Sequence, residues 1–201
     1  MSVAMEDFPR RHRITVDEYH RMAEVGLLAP DARVELIEGA IFDLPSLENP
    51  HMATVSRLLR LLVIAVGGRG IVQCQGGIRL GNYSEPQPDF AIVKPREDFY
   101  QHQPRWAADT LLAIEVSDSS LRYDLKTKMP LYARHGVPEL WVLDLSRRQL
   151  HAFREPTDTG YAMAVAAKSP GRQAIQLLPG VEIDLSGVFG MEDTPTSDFK
   201  A

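Results

Sequence analysis

The sequence predicts an α/β domain in which a central mixed β-sheet is flanked by helices and preceded by an N-terminal helix and a hairpin. Short apolar runs alternate with helical periodicity, and one strand–helix–strand crossover stands out among them. The chain has 201 residues, of which 44% are hydrophobic and 24% charged, which suits one domain with a real core. We expect that domain to span 15–190, with a flexible arm at 1–14 and a flexible tail at 191–201.

The N-terminal elements carry clear local signals. Thr15-Val16-Asp17-Glu18 has the pattern of a capping box and predicts the start of a helix. Gly26 predicts the end of that helix. Two alternating runs, 33–37 and 40–44, flank Glu38-Gly39 and predict a hairpin with a tight turn.

A second helix begins at Asn49-Pro50, with Asn49 as the cap and Pro50 at the first helical position. Its apolar positions predict a buried stripe formed by Met52, Val55, Leu58, Leu59, Leu62 and Val66. Three strand candidates follow, at 71–75, 78–80 and 89–93.

The run Thr110 to Val116 is nearly all apolar, as is typical of a strand covered on both faces. Capping residues after it predict a helix to about His135, which Pro130 should bend. A second apolar strand, 140–145, then closes a crossover that we expect to be right-handed and parallel. The last strand candidates lie at 149–154, 161–166 and 174–178.

Charge and cysteine content limit the classes of function. The net charge of -5 argues against a protein that coats nucleic acid through many phosphates, so any such contact must be local. The single cysteine, Cys74, excludes an internal disulfide and fits a reducing cytoplasm. We find no run of eighteen apolar residues and therefore expect no membrane span.

Two carboxylates stand where apolar residues are expected. Glu115 lies inside the buried strand, and Asp89 stands at the start of another. An unpaired buried carboxylate costs several kcal/mol, so a partner must compensate Glu115. That partner is either a salt bridge or hydrogen-bond network, or a cation. Mg²⁺ takes oxygen ligands and is held by one or two carboxylates, so Asp89 and Glu115 together could bind it. The alternative role of Asp89 is an ordinary cap at the end of a strand.

Lys128 is the best local candidate for a cation beside these acids. It follows Asp124 by four residues, a spacing that also fits an exposed pair on a helix. Arg122 cannot take a proton from water because it stays protonated, and Lys126 points about 200° away. His51 could approach the site from the second helix, although a lone histidine more often has a structural role.

Several segments together resemble a widespread bacterial family of restriction-endonuclease-like proteins in the PD-(D/E)XK nuclease superfamily. The resemblance runs from about Thr15 to Leu178 and is most specific in the block LYARHGVPELWVLD. It rests on Glu35–Gly39, Asn49–His51, Gln87–Asp89, Ala113–Ser117, Asp124–Lys128 and Leu131–Asp144.

The resemblance implies a restriction endonuclease-like core in which Asp89 and Glu115 are the acidic metal ligands. The superfamily lysine usually stands two residues after the second acid, where this chain has Ser117. Members of this family are thought to supply the lysine from the next helix, which corresponds to Lys128. Glu35 matches a family acid that helps to bind or position the metal. The alternative interpretation is that Glu35 is simply an exposed acid of the hairpin.

The sequence thus predicts a metal-dependent endonuclease that hydrolyses phosphodiester bonds in DNA. In this hypothesis Asp89, Glu115 and the Val116 carbonyl bind Mg²⁺ or Mn²⁺, and Lys128 orients or helps to deprotonate the attacking water. The alternative is a catalytically idle module of the same fold that binds nucleic acid or protein. A homodimer is a further expectation, because many proteins of the superfamily pair.

Overall fold

The central feature of the fold is a six-stranded mixed sheet with the strand order β3-β4-β5-β6-β7-β8. The structure, a computed structural model, describes residues 11–46 and 48–190. The predicted tail and most of the predicted arm lie outside these residues. The strands are β3 (Ile71–Cys74), β4 (Phe90–Val93), β5 (Thr110–Ser117), β6 (Glu139–Asp144), β7 (Gln149–Thr157) and β8 (Gly160–Lys168).

The neighbouring strands β5 and β6 are parallel, and every other pair in this sheet is antiparallel. The predicted parallel crossover is therefore confirmed. Its connection consists of three helical pieces: α3 (Leu121–Tyr123), a π-helical turn (Asp124–Lys128) and α4 (Met129–Arg134). The sequence predicted that Pro130 would bend one continuous helix. The irregularity is instead the π-helical turn, which ends two residues before Pro130, and Pro130 itself stands in the first turn of α4.

The N-terminal elements agree with their sequence signals. Helix α1 (Val16–Glu24) begins with the predicted capping box, in which Thr15 and Glu18 exchange hydrogen bonds. The hairpin consists of β1 (Val34–Ile37) and β2 (Ala40–Asp43), and both turn residues, Glu38 and Gly39, have positive φ. This turn contacts the chain before α1, where Ile14 N–H donates to the Gly39 carbonyl.

Helix α2 (Asn49–Val66) covers one face of the sheet. Its cap prediction was wrong by one residue, because Glu48 holds the cap position and Asn49 is already helical. Two residues of the predicted buried stripe, Met52 and Leu59, are exposed. The segment Asn49–Arg69 is long and apolar enough to cross a membrane by length and composition alone.

Two predicted strands were wrong. The segment 78–80 is a loop that makes one isolated bridge, from Arg79 to Trp106, since its other hydrogen bonds go to the neighbouring loop. The segment 174–178 is mostly a turn between β9 (Arg172–Ala174) and β10 (Glu182–Asp184), which pair as a separate hairpin.

The core lies on both faces of the sheet. On one face, α2 and the segment that carries β9 and β10 pack against alternate residues of β5 and β6. On the other face, α4, the β1–β2 hairpin and the 78–80 loop cover the intervening residues. The predicted arrangement of a mixed sheet flanked by helices is confirmed, and the alternation along β5 decides which side chains face α4.

Candidate active site

Glu115 lies on the face of β5 that is covered by the helical pieces after it. Leu112, Ile114 and Val116 face α2, so the period of two directs Glu115 to the opposite side. The antiparallel register pairs Phe90 with Ile114, and one step further this register sets Asp89 opposite Glu115. The two predicted acids therefore meet at the same end of neighbouring strands.

Asp89 has protein partners for both carboxylate oxygens. Its Oδ2 accepts a hydrogen bond from the Val116 N–H at 2.8 Å, and its Oδ1 lies 3.2 Å from Nε2 of His51. The hydrogen bond with Asp89 raises the pKa of His51 despite the opposing effect of burial. His51 thus belongs to the site, to which α2 brings it.

Lys128 lies at the bottom of the site, with only 2% of its surface exposed. Its Nζ is 2.7 Å from Glu115 Oε1 and 3.2 Å from Glu35 Oε2, and it donates to the Gln87 carbonyl. Burial by itself would lower the pKa of Lys128, but the two carboxylates outweigh burial and raise it. Lys128 is therefore a cation held between two acids.

Glu115 uses one carboxylate oxygen for protein contacts. Oε1 accepts hydrogen bonds from Lys128 Nζ and, at 2.8 Å, from the Tyr132 hydroxyl. Oε2 has no hydrogen-bond partner among residues 11–46 and 48–190. Burial raises the pKa of the Glu115 carboxyl, and the Lys128 ammonium opposes that rise. The salt-bridge network that the sequence left open is thus present, and it leaves one oxygen of Glu115 available.

Glu35 is fully buried, so the alternative of an exposed hairpin acid was wrong. Its Oε2 accepts from the Gln87 N–H at 2.9 Å and contacts Lys128, while its Oε1 is buried with no hydrogen-bond partner in the described part of the chain. The hairpin therefore contributes a third carboxylate on the far side of Lys128.

Asp124 is also buried, and the alternative of an exposed pair with Lys128 was wrong for both residues. The Ser117 and Ser120 hydroxyls each donate to Asp124 Oδ2 at 2.7 Å. Ser117, at the position of the usual superfamily lysine, thus positions the helical segment that supplies Lys128. Ser120 uses its hydroxyl in the same way and makes no helix cap.

These residues surround one cleft of about 860 Å³. The cleft is lined by the hairpin and the loop after it, by the start of α2, by the adjoining ends of β4 and β5, and by the helical pieces. Of the predicted site residues, it is lined by His51, Asp89, Glu115, Val116, Asp124 and Lys128. Glu35 stands behind Lys128, so the structure brings every predicted site residue to one place.

The sequence analysis missed two contributors. Tyr132 is fully buried, and its hydroxyl donates to Glu115. Its position four residues after Lys128 is the signal that could have found it, because that spacing sets both side chains on one helical face. Gln87 contributes only backbone atoms, for which its side-chain type carries no signal.

The donor chemistry of the cleft fits a hard divalent cation. Two carboxylates on adjacent strands, one with an oxygen lacking a hydrogen-bond partner in the described chain, are the ligand type that Mg²⁺ and Mn²⁺ prefer, with water completing the shell. Within the described residues, no group of three or more His, Cys, Asp or Glu side chains could hold a metal ion. A bound ion would therefore depend on Asp89 and Glu115, together with backbone or water oxygens.

A mixed sheet with one parallel crossover and acids at the ends of two central strands defines a restriction endonuclease-like nuclease fold. The chain belongs to the Uma2 family, described as "Putative restriction endonuclease", whose profile matches residues 16–186. The resemblance stated from sequence is therefore confirmed. A search of curated proteins gave no match.

Comparison with solved structures agrees on the fold. The chain is similar to a crystal structure from Anabaena variabilis described as "a putative nuclease belonging to DUF820", with a TM-score of 0.64 and 18% sequence identity. The match covers 88% of this chain and 97% of the other. Together, the family and the fold support a nuclease-like function that acts on nucleic acid.

Proposed function

We propose that this protein is a metal-dependent endonuclease that hydrolyses phosphodiester bonds in DNA. The observation that carries the proposal is the meeting of Asp89, Glu115 and Lys128 in one cleft, with Lys128 Nζ 2.7 Å from Glu115. Two carboxylates on neighbouring strands suit a cation, and a buried ammonium beside them suits the charge of a phosphate oxygen.

Asp89, Glu115 and the Val116 carbonyl would hold Mg²⁺ or Mn²⁺. When bound, such an ion lowers the pKa of a coordinated water and neutralises charge on a phosphate. Lys128 orients the attacking water and stabilises charge on the phosphate. We favour this electrostatic role over proton abstraction, because neighbouring carboxylates raise the pKa of Lys128 and keep it cationic.

The remaining residues position this machinery. Tyr132 and Lys128 bind one oxygen of Glu115, so the other oxygen would be the one to hold a cation. The Val116 N–H and His51 orient Asp89. Asp124 fixes the helical segment through its hydrogen bond with Ser117. Glu35 forms a second ion pair with Lys128, on the side away from the cleft.

The test is cleavage of plasmid and oligonucleotide DNA by purified Asp89→Asn and Glu115→Gln variants in Mg²⁺ and Mn²⁺. Each variant should lose at least about 100-fold in rate, since each removes a charged ligand from the site. Glu24→Gln, at an exposed position of α1, is the matched control and should cleave as the wild type does. Cleavage retained by either site variant, with its fold intact by circular dichroism, would sink the proposal.

A second candidate function is a catalytically idle module that binds nucleic acid or protein. The observation that favours it is the charge balance at Lys128, which two carboxylates already neutralise. Titration with Mn²⁺ separates the two functions. The endonuclease should show binding heat and a higher melting temperature that Asp89→Asn abolishes. The module should show neither and should bind DNA without metal.

Three features of its setting stay predictions. We expect a homodimer, which sedimentation velocity would detect as a species of twice the 22.5 kDa chain mass. We expect the protein in the cytoplasm, away from membranes. Fractionation of cells that express the tagged full chain tests both aspects of that location.

A further inference from the structure

Phe42 is an exposed aromatic side chain beside the candidate active site. It lies on β2 directly opposite Glu35 in the hairpin register, and Glu35 contacts Lys128. Opposed residues of an antiparallel pair project from the same face, so Phe42 stands on the side of the hairpin that faces the site. It lines the same cleft, and 40% of its surface is exposed.

The ring of Phe42 is held by a second aromatic ring across the cleft wall. The Phe42 and Tyr123 ring centroids lie 5.7 Å apart at an interplanar angle of 44°. Tyr123 sits directly before the π-helical turn that supplies Lys128. The pair therefore joins the hairpin to the helical segment while leaving part of Phe42 open to a ligand.

The charges of the cleft rim disfavour binding through phosphates. Asp43, Glu48 and Asp118 line the cleft and are exposed. Among residues 11–46 and 48–190, the one Lys or Arg that lines the cleft besides the buried Lys128 is Arg33, which is half-buried and donates to the Pro45 carbonyl. Proteins that grip duplex DNA use many Lys and Arg contacts to phosphates, and this cleft offers few.

The reactive groups also lie deep. Glu115 and Lys128 are 4% and 2% exposed, so a phosphodiester has to enter the cleft to reach them. An unpaired strand bends into such a recess more easily than a stiff duplex does. An unpaired strand also offers its bases, which stack on aromatic rings irrespective of the charge at the rim.

We propose that Phe42 is a specificity-determining residue that stacks on a base next to the scissile phosphate, so that the substrate is single-stranded or locally unpaired DNA. This inference rests on the proposed endonuclease function and names the substrate class of the same site. Affinity then comes mainly from the bases, and intact duplex is a poor ligand because its bases are paired and stacked within the helix.

Fluorescence anisotropy tests the inference with a labelled 12-nucleotide strand and the blunt duplex of the same sequence, both in Ca²⁺. We expect the wild type to bind the single strand at least about 10-fold more tightly than the duplex, and Phe42→Ala to lose about 10-fold for the single strand alone. Phe42→Trp should stay within about 3-fold of the wild type, because a larger ring still stacks.

Phe99→Ala is the matched control, since Phe99 is 68% exposed and lines a different groove. Equal affinity for duplex and single strand would overturn the inference, as would an equal effect of Phe42→Ala and Phe99→Ala. Circular dichroism and melting of each variant separate a binding effect from loss of fold.

A cleavage experiment in Mn²⁺, on a duplex with a five-nucleotide bubble, tests the substrate class separately from the proposed endonuclease function. Cuts confined to the bubble and its edges support both. Cuts spread evenly along the paired arms overturn the substrate class and leave the endonuclease standing. No cutting at all contradicts the endonuclease, and the anisotropy measurements still decide whether Phe42 selects unpaired strands.

Discussion

At the scale of single residues, Lys128 decides whether the acids of the site can be buried together. A buried ammonium with two carboxylate partners compensates the desolvation of all three groups only while the set is complete. The sequence indicated the lysine and both of its acidic partners, Glu115 and Glu35, but not that one side chain bridges them.

Replacement of Lys128 by methionine should be strongly destabilising, because it leaves Glu115 and Glu35 buried without their cation. We expect a loss of about 3–5 kcal/mol in the free energy of unfolding, measured by urea denaturation. Lys126→Met is the matched control, since Lys126 is exposed on the same turn, and it should change stability by less than about 0.5 kcal/mol.

Adding Glu115→Gln to Lys128→Met should recover part of the lost stability, because it removes one of the two unpaired charges. If Lys128→Met unfolds no more readily than Lys126→Met, the three charged groups do not form the buried set described above.

At the scale of elements, the hairpin and the helical segment after β5 complete a site whose acids Asp89 and Glu115 come from the ends of β4 and β5. Local signals predicted most elements: the capping box of α1, the tight turn at Glu38-Gly39 and the apolar β5 all form as expected. The two wrong strand predictions, 78–80 and 174–178, are short segments whose conformation depends on their neighbours in space and not on their own residues. The 78–80 run reads as a strand, but within the described residues its bridge partner is the isolated Trp106 and not a strand, so it stays a loop.

Gly39 tests how tightly the hairpin is seated. It has φ +81°, and an added Cβ would lie 2.6 Å from Arg13 Cβ and 2.9 Å from Arg13 Cα. Gly39→Ala should therefore lose about 2–4 kcal/mol, from backbone strain and overpacking together.

Gly26 has nearly the same φ, +76°, with no atom within 4 Å of an added Cβ, so Gly26→Ala should cost only about 1 kcal/mol. Chemical denaturation measures both. Equal losses for the two variants would mean that the close approach at Arg13 does not constrain the hairpin.

At the scale of the whole molecule, net charge bears on how nucleic acid is bound. With 22 Lys and Arg against 27 Asp and Glu, the chain lacks the overall basic charge that draws a protein onto long DNA. Binding to the cleft then depends on a few phosphates, a cation and base stacking.

The salt dependence of binding measures this directly. For a single strand, the slope of log K against log salt is about -0.7 for each neutralised phosphate. We expect a slope no steeper than about -2, which corresponds to about three phosphates. Anisotropy at several salt concentrations measures the slope. A slope of about -4 or steeper would mean that the protein contacts many more phosphates, which would contradict the prediction.

The sequence by itself indicated the family, through the resemblance of its motif blocks. It also predicted the mixed sheet and the central candidate residues, because local periodicity and polar residues at apolar positions indicate these. The tertiary structure decided their relations. The register of β4 and β5 set Asp89 opposite Glu115, and the helical pieces after β5 brought Lys128 and Tyr132 into contact with Glu115. Such contacts join residues distant in sequence, so their distances depend on packing that no local pattern specifies.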